Sequence, residues 1–375
     1  MLPYGRQSID DDDVAAVVDV LRGDWLTTGP KVDEFERALS EIAGGSHAVA
    51  VTSGTAALHV AYVAAGVRPG DEVITTPLTF VATAAAAAIA GATLVFADVD
   101  PATGNLDLEA AAAAVTDRTR VVAAVDYAGL PVDARAFAAM AHRHGALFLE
   151  DAAHSVGSTL GGTPVGAAAD LTTFSFFPTK NLTTAEGGAV VTPHEELATR
   201  ARSFKGQGLV RDPGSLRFPD EGPWHQEVHD FGLNYRLPDV LCALGISQLA
   251  RLERFKARRQ AIHDAYNAAF SGHPLLTVPA VVDGAAPAWH LYPLRVPAER
   301  RRAIFEELRR RGIGVQVNYL PVYWHPVFED LGYRRGMCPE AEQYYRQEIS
   351  LPLFPGLRDD QVDEVIENVL AAVGT

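Results

Sequence analysis

Between His47 and Leu149, short apolar runs alternate with stretches of helical periodicity. This rhythm constrains the fold more than any other feature of the chain. The runs at 47–52, 72–75, 93–97, 121–125 and 146–149 read as strands. The stretches 55–65, 79–90, 107–115 and 133–144 read as helices between them, with Asp107 and Asp133 as N-caps and Gly145 as a stop. Strands that are apolar on nearly every residue are covered on both faces. They predict an α/β fold with a mainly parallel sheet, whose ligands bind at the carboxyl ends of its strands. The uncharged stretch 73–97 is long enough to suggest a membrane span. Pro77, Gly91 and its weakly apolar alanines fit a strand, a buried helix and a second strand better.

Outside this core, helices are expected at 10–22, with Asp10–Asp13 in the first turn, and at 31–43. The Gly-, Pro- and charge-rich stretch 206–232 reads as a long loop. One or two long helices follow at 237–270, and the basic run 251–259 reads as a solvated face. Strands at 290–296 and 315–319 and helices at 299–311 and 359–373 then read as a smaller C-terminal domain. The expected division is a large domain at 1–245 and a small one at 246–375. A formal net charge of −15 argues against nucleic acid or an anionic membrane as a partner, and an anionic ligand must be held by local groups. Cys242 and Cys338 form no CxxC pattern, so neither a disulfide nor a metal site is expected. That pattern, and a start without a basic and then apolar leader, predict a cytoplasmic protein.

Lys180 lies between the apolar runs 171–177 and 189–191, punctuated by Pro178, Gly187 and Gly188. A lysine between core strands either snorkels, pairs with Glu186, or is a desolvated amine kept for Schiff-base chemistry. Other residues bear on that choice. Ser53-Gly54-Thr55 follows a strand and opens a helix, which suits either a plain N-cap or a phosphate site. Glu150 and Asp151 end the strand at 146–149, with His154 close by in the chain but without further ligands at metal spacing. Phe80 opens the helix at 79–90, as a core aromatic or as a ring stacked on a planar cofactor. Ser175 gains meaning if it converges with Ser53 and Thr55 on one phosphate. Pyridoxal phosphate (PLP) needs a lysine, an acid at the pyridine nitrogen, an aromatic lid and a phosphate cup. Lys180, Asp151, Phe80 and Ser53, Thr55 and Ser175 supply these parts together.

The motifs WLTTGP, TSGTAALH, PLTFVATA, VDYAGLPVD, EDAAHSVGS, FSFFPTKNLTTAEGGAVVT, GLNYRLPDVLCALGISQL, GIGVQVNYLPVY and EISLPLFPGL run over nearly the whole length. In these motifs the chain resembles the DegT/DnrJ/EryC1/StrS family of PLP-dependent nucleotide-sugar aminotransferases. That resemblance implies fold type I, as in aspartate aminotransferase. TAEGG and VDYAG are most similar to the subgroup making UDP-4-amino-4,6-dideoxy-N-acetyl-β-L-altrosamine. The resemblance implies that Lys180 holds the cofactor, Asp151 meets the pyridine nitrogen, His154 the ring hydroxyl side and Phe80 the ring face. Ser53, Gly54, Thr55 and Ser175 would belong to the phosphate site. Asn234 would come from a partner subunit, making the active unit a homodimer. Tyr4, Asp24, Trp25, Leu26 and Thr27, with Gln316, Val317, Asn318 and Tyr319, would line the nucleotide-sugar cleft. Asn318 stands where relatives commonly carry His, which bears on sugar preference. The implied reaction moves an amino group from L-glutamate to C4 of a UDP-linked 4-keto-6-deoxy-N-acetylhexosamine. A dTDP-linked 3- or 4-keto sugar is the alternative acceptor, and a PLP-binding regulator without turnover is the alternative of another class. Lys rather than His at position 180 separates the chain from the dehydratases of the same fold.

Overall fold

A seven-stranded sheet carries the architecture, and only one of its strands opposes both of its neighbours. The computed structural model describes residues 1–374. In chain order the strands are β1 (His47–Val51), β2 (Glu72–Thr75), β3 (Thr93–Phe96), β4 (Thr119–Val125) and β5 (Leu147–Asp151), followed by Leu171–Ser175 and Gly188–Thr192. In space the order is β1, Gly188–Thr192, Leu171–Ser175, β5, β4, β2, β3. Pairing is parallel from Leu171–Ser175 through β5, β4 and β2 to β3. Gly188–Thr192 runs antiparallel to both Leu171–Ser175 and β1. The sheet is therefore mixed and mostly parallel, as the near-continuous apolar runs predict.

Helices cover the sheet where the caps place them. Helix α1 (Asp11–Arg22) starts in a capping box between Asp10 and Asp13, and α2 (Pro30–Ile42) starts on a proline. Helix α3 (Gly54–Ala64) is capped by Ser53, whose hydroxyl accepts the Ala56 amide at 3.0 Å. Helix α4 (Ala82–Ile89) buries Ala84, Ala86 and Ala87, and the Tyr62 hydroxyl of α3 donates to the Thr83 carbonyl at 2.9 Å. Small side chains let these two helices lie close to the sheet and to each other. The helix expected over 79–90 thus begins at Ala82, and Thr79 and Phe80 stay in the turn before it.

A second core lies beyond the sheet. Helix Leu252–Phe270 packs Ile262, Tyr266 and Phe270 with the antiparallel pair Tyr292–Arg295 and Glu348–Leu351, helix Ala298–Arg310 and helix Asp359–Val373. Between these elements the chain returns to the main core, where Tyr323, Phe328 and Tyr333 surround the Phe96 ring.

Three expectations change. The segment 315–319 is not a strand, and only Gln316 bridges to Ser350, because the Asn318 amide is taken by the Glu348 carboxylate at 2.7 Å instead of a ladder partner. The segment 206–232 is not structureless, since Leu209–Val210 pairs with Glu227–Val228. The basic run 251–259 is not wholly solvated. Arg259 is 1% exposed and donates to the carbonyls of Leu353 (2.8 Å), Trp289 and His290 (both 3.3 Å).

Candidate active site

The turn between Leu171–Ser175 and Gly188–Thr192 delivers Lys180. Its amide donates to the Phe177 carbonyl at 2.9 Å, while Thr184 and Phe176 close the turn at 3.0 Å. The side chain faces a cavity of about 460 Å³ at the carboxyl ends of β5 and Leu171–Ser175. This is where a parallel sheet places its ligands. Lys180 keeps some solvent access through the cavity mouth, but protein surrounds it on the other sides. Burial pushes its ammonium down to about 8, against the pull of the Asp151 carboxylate. Glu186 lines the same cavity, yet among the described residues no ion pair joins it to Lys180.

Asp151 is the last residue of β5 and is 3% exposed. Its Oδ2 accepts the Thr83 hydroxyl at 2.6 Å and its Oδ1 accepts the Ala153 amide at 3.2 Å. Burial raises its pKa; the two hydrogen bonds and Lys180 oppose that rise. Thr83 is one of the cavity residues that sequence reasoning missed. It sits in the first turn of α4, 2.8 Å from the Thr79 hydroxyl, and so aims Asp151 from the neighbouring helix. The available signal was two threonines four apart at the head of an alanine-rich helix, which share one face.

Ser53, Gly54 and Thr55 open α3 into the same cavity. The first amides of a helix have no intrahelical acceptor and carry the positive end of its dipole. A Cβ on Gly54 would lie 2.7 Å from the Ser175 Cβ, and one on Gly188 would lie 2.4 Å from the Ser53 carbonyl oxygen. Two glycines thus let the helix start, Ser175 and the antiparallel strand meet closely.

His154 is 3% exposed, and its Nε2 lies 3.1 Å from the Tyr319 hydroxyl. Burial and the Lys180 charge hold its pKa well below the ordinary range, so the ring is neutral. A second imidazole, His290, lies 4.4 Å away between centroids, is held neutral in the same way and was not foreseen. Phe80 is 56% exposed, which excludes the core reading, and its ring meets Tyr319 edge-on at 6.2 Å. Tyr4, Gln316 and Asn318 complete the wall. Val317, Asp24, Trp25, Leu26, Thr27 and Asn234 do not line this cavity. Trp25 instead shares a separate hollow with Lys205, Arg236 and Leu237, beside Asn234 in the chain.

PLP fits these residues on chemical grounds. The buried Asp151 carboxyl calls for a cation, and a pyridinium N–H is one. The helix start beside Ser175 calls for an anion. Buried polar atoms without a partner, His154 Nδ1 and Thr173 Oγ1, belong to residues lining the cavity. The exposed face of Phe80 offers a planar contact. Among the described residues no cluster of three or more His, Cys, Asp or Glu side chains could hold a metal ion, and no helix is long and apolar enough to cross a membrane.

Residues 7–370 match the family model of the DegT/DnrJ/EryC1/StrS aminotransferase family. The chain belongs to this family. The aminotransferase is 41% identical over 374 residues to the spore coat polysaccharide biosynthesis protein SpsC of Bacillus subtilis, covering 98% of this chain and 96% of that protein. It is 38% identical over 359 residues to the UDP-4-amino-4,6-dideoxy-N-acetyl-beta-L-altrosamine transaminase of Campylobacter jejuni, covering 94% and 92%. Among solved structures, Helicobacter pylori PseC, an aminotransferase involved in the biosynthesis of pseudoaminic acid, superposes with a TM-score of 0.92 at 32% identity over 99% of both chains. Spr1654 of Streptococcus pneumoniae in its PMP form gives 0.94 at 31% identity, over 100% of this chain and 99% of the other.

Proposed function

We propose that this transaminase moves the amino group of L-glutamate to C4 of a UDP-linked 4-keto-6-deoxy-N-acetylhexosamine, at a site shared across a homodimer. Pyridoxal phosphate is the cofactor of the transaminase. When bound, it supplies an electron sink for the carbon that gives up a proton. The N-terminus of α3 with Ser53, Gly54, Thr55 and Ser175 binds its phosphate, Phe80 covers the ring, and neutral His154 meets the ring hydroxyl. Asp151, oriented by Thr83, keeps a proton on the pyridine nitrogen. Lys180 would take the proton from the donor α-carbon in the first half of the exchange and, after the keto acid has left, deliver one to C4 of the sugar in the second, for which a pKa of about 8 is well placed. In the net exchange glutamate leaves as its keto acid, and its nitrogen replaces the C4 carbonyl oxygen of the sugar.

The observation that carries the acceptor assignment is the 38% identity with the Campylobacter transaminase over 94% of the chain. The dimer is supported by what the lysine cavity lacks. Asp24, Trp25, Leu26, Thr27 and Asn234 lie outside it, while Trp25, Trp224 and Phe231 are 58%, 79% and 97% exposed and available to a second copy. With net charge −15 giving no general attraction for a diphosphate, the exposed cations Arg211 and Arg217 are the local contacts we assign to the nucleotide; Lys205, expected to join them, is instead paired with Glu36 at 2.7 Å.

The test is a panel of UDP- and dTDP-linked 4-keto-6-deoxy sugars incubated with holoenzyme and glutamate, with the amino sugar identified by NMR. Amination at C4 of the UDP-linked N-acetyl sugar is expected. Preference for a dTDP sugar without the N-acetyl group, or amination at C3, overturns the acceptor. Borohydride should fix the cofactor to the peptide bearing Lys180; labelling at another lysine overturns the lysine assignment.

A further inference from the structure

Glu348, the first residue of the strand Glu348–Leu351, is fully buried and makes no ion pair among the described residues. Arg301, the cation whose charge reaches it, directs its guanidinium to the Tyr345 carbonyl at 3.1 Å and over the Tyr345 ring. A carboxylate buried without a cation is costly to fold, so its partners matter. Both oxygens are used. Oε2 accepts the Asn318 amide at 2.7 Å, and Oε1 accepts the Ser350 hydroxyl. Ser350 Oγ in turn accepts Asn318 Nδ2 at 2.9 Å, and the Tyr127 hydroxyl donates to the Asn318 carbonyl at 2.5 Å. The backbone of Asn318 is therefore held from both sides at a place where no sheet ladder holds it. Its neighbour Tyr319 reaches His154, and Tyr4, Asn318 and Tyr319 all face the lysine cavity.

We infer that Glu348 is a positioning residue for the acceptor sugar, holding the Asn318–Tyr319 wall of the cleft through the Asn318 amide and Ser350. The inference rests on the reading of this cleft as the acceptor site. Burial pushes the Glu348 carboxyl up to about 8 against the pull of these two donors and of Arg301; above that pH it receives both donors without offering a proton of its own, and below it Oε2 still takes the Asn318 amide. Where the wild-type carboxyl is ionised, glutamine at 348 turns the bond to Ser350 into a donor facing a donor. Asp151, Lys180 and the start of α3 are carried by the main sheet and do not depend on this wall.

Glu348→Gln is compared with the wild-type holoenzyme in three measurements made above pH 8, where the wild-type carboxyl is ionised. Hydrogen exchange of the peptide spanning 316–320 should lose protection. The KM for the nucleotide sugar should rise about tenfold with kcat little changed. The half-reaction with L-glutamate alone, followed through the cofactor absorbance, should stay within about twofold, since Lys180, Asp151 and the start of α3 are carried by the main sheet and the wall reaches the cofactor side only through Tyr319 on His154. An unchanged acceptor KM, or a donor half that falls as far as the acceptor half, overturns the inference. Ser350→Ala, which leaves the carboxylate in place, should shift the same readouts in the same direction by less, and it serves if Glu348→Gln does not fold. Should the wild type aminate no member of the sugar panel, the acceptor reading fails by itself. Exchange at 316–320 still decides whether Glu348 holds the wall.

Discussion

Replacing Lys180 by methionine is expected to stabilise the cofactor-free protein while abolishing transamination. The ammonium is pushed from 10.5 to about 8 by burial. That interval is worth about 3.5 kcal/mol at roughly 1.4 kcal/mol per pKa unit. The side chain keeps some access to cavity water, so screening brings the net effect to about 1–2 kcal/mol. The sign follows from proton counting. Between pH 8 and 10.5 the unfolded chain holds the lysine proton and the folded one does not, so stability rises with pH across that window. Below it the full penalty is present, and above it the penalty is gone. Methionine fills a similar volume without the charge. Removing the ammonium takes away one of the influences that hold the Asp151 pKa down, so that carboxyl is raised further. At roughly 2 cal/mol/K per residue, a chain of 375 residues gains about 2 °C in Tm at pH 7. Thermal melts of both apoproteins at pH 7 and pH 10 test this, and most of the gain should disappear at the higher pH. A wild type that melts at or above the variant at pH 7, or a gap that persists at pH 10, would refute the desolvated lysine.

Asp151→Asn should retain cofactor but lose turnover by on the order of a hundredfold or more, because an amide cannot hold the pyridinium proton; steady-state assays beside cofactor absorbance separate the two effects. Thr83→Val removes the 2.6 Å bond to Asp151 and should lower kcat about tenfold, with little change in the glutamate KM. An unaltered kcat would deny Thr83 its orienting role. Lys180→Ala and Asn234→Ala should each be poor enzymes whose mixed dimers recover part of the activity; a fully active monomer, or no complementation, would count against a shared site.

Much of the site was legible from local pattern. Lys180, Asp151 and the Ser53-Gly54-Thr55 run are polar residues at the ends of apolar strands, and strand ends can be read from a few neighbours. The helix start at Ala82 was misplaced because alanine is helical wherever it stands, and nothing in the neighbouring residues shows that Thr79 and Phe80 are held in a turn. Arg259 was misread because a basic run looks solvated until the carbonyls of Lys180, Trp289, His290 and Leu353 close over one guanidinium.

By itself, then, the order of residues determined the alternating α/β layout, the parallel centre of the sheet, the caps at Asp107 and Asp133, and the lysine on its turn. These depend on side-chain period and on contacts within a few positions. Tertiary structure alone decided the antiparallel course of Gly188–Thr192, the hydroxyl of Thr83 on Asp151 across 68 positions, the pairing of His154 with His290, and the Glu348 carboxylate on Asn318 across 30. The reason is burial. Each of these groups loses its water only when separate elements pack together, and which partner replaces that water is settled by the packing and not by chain neighbours.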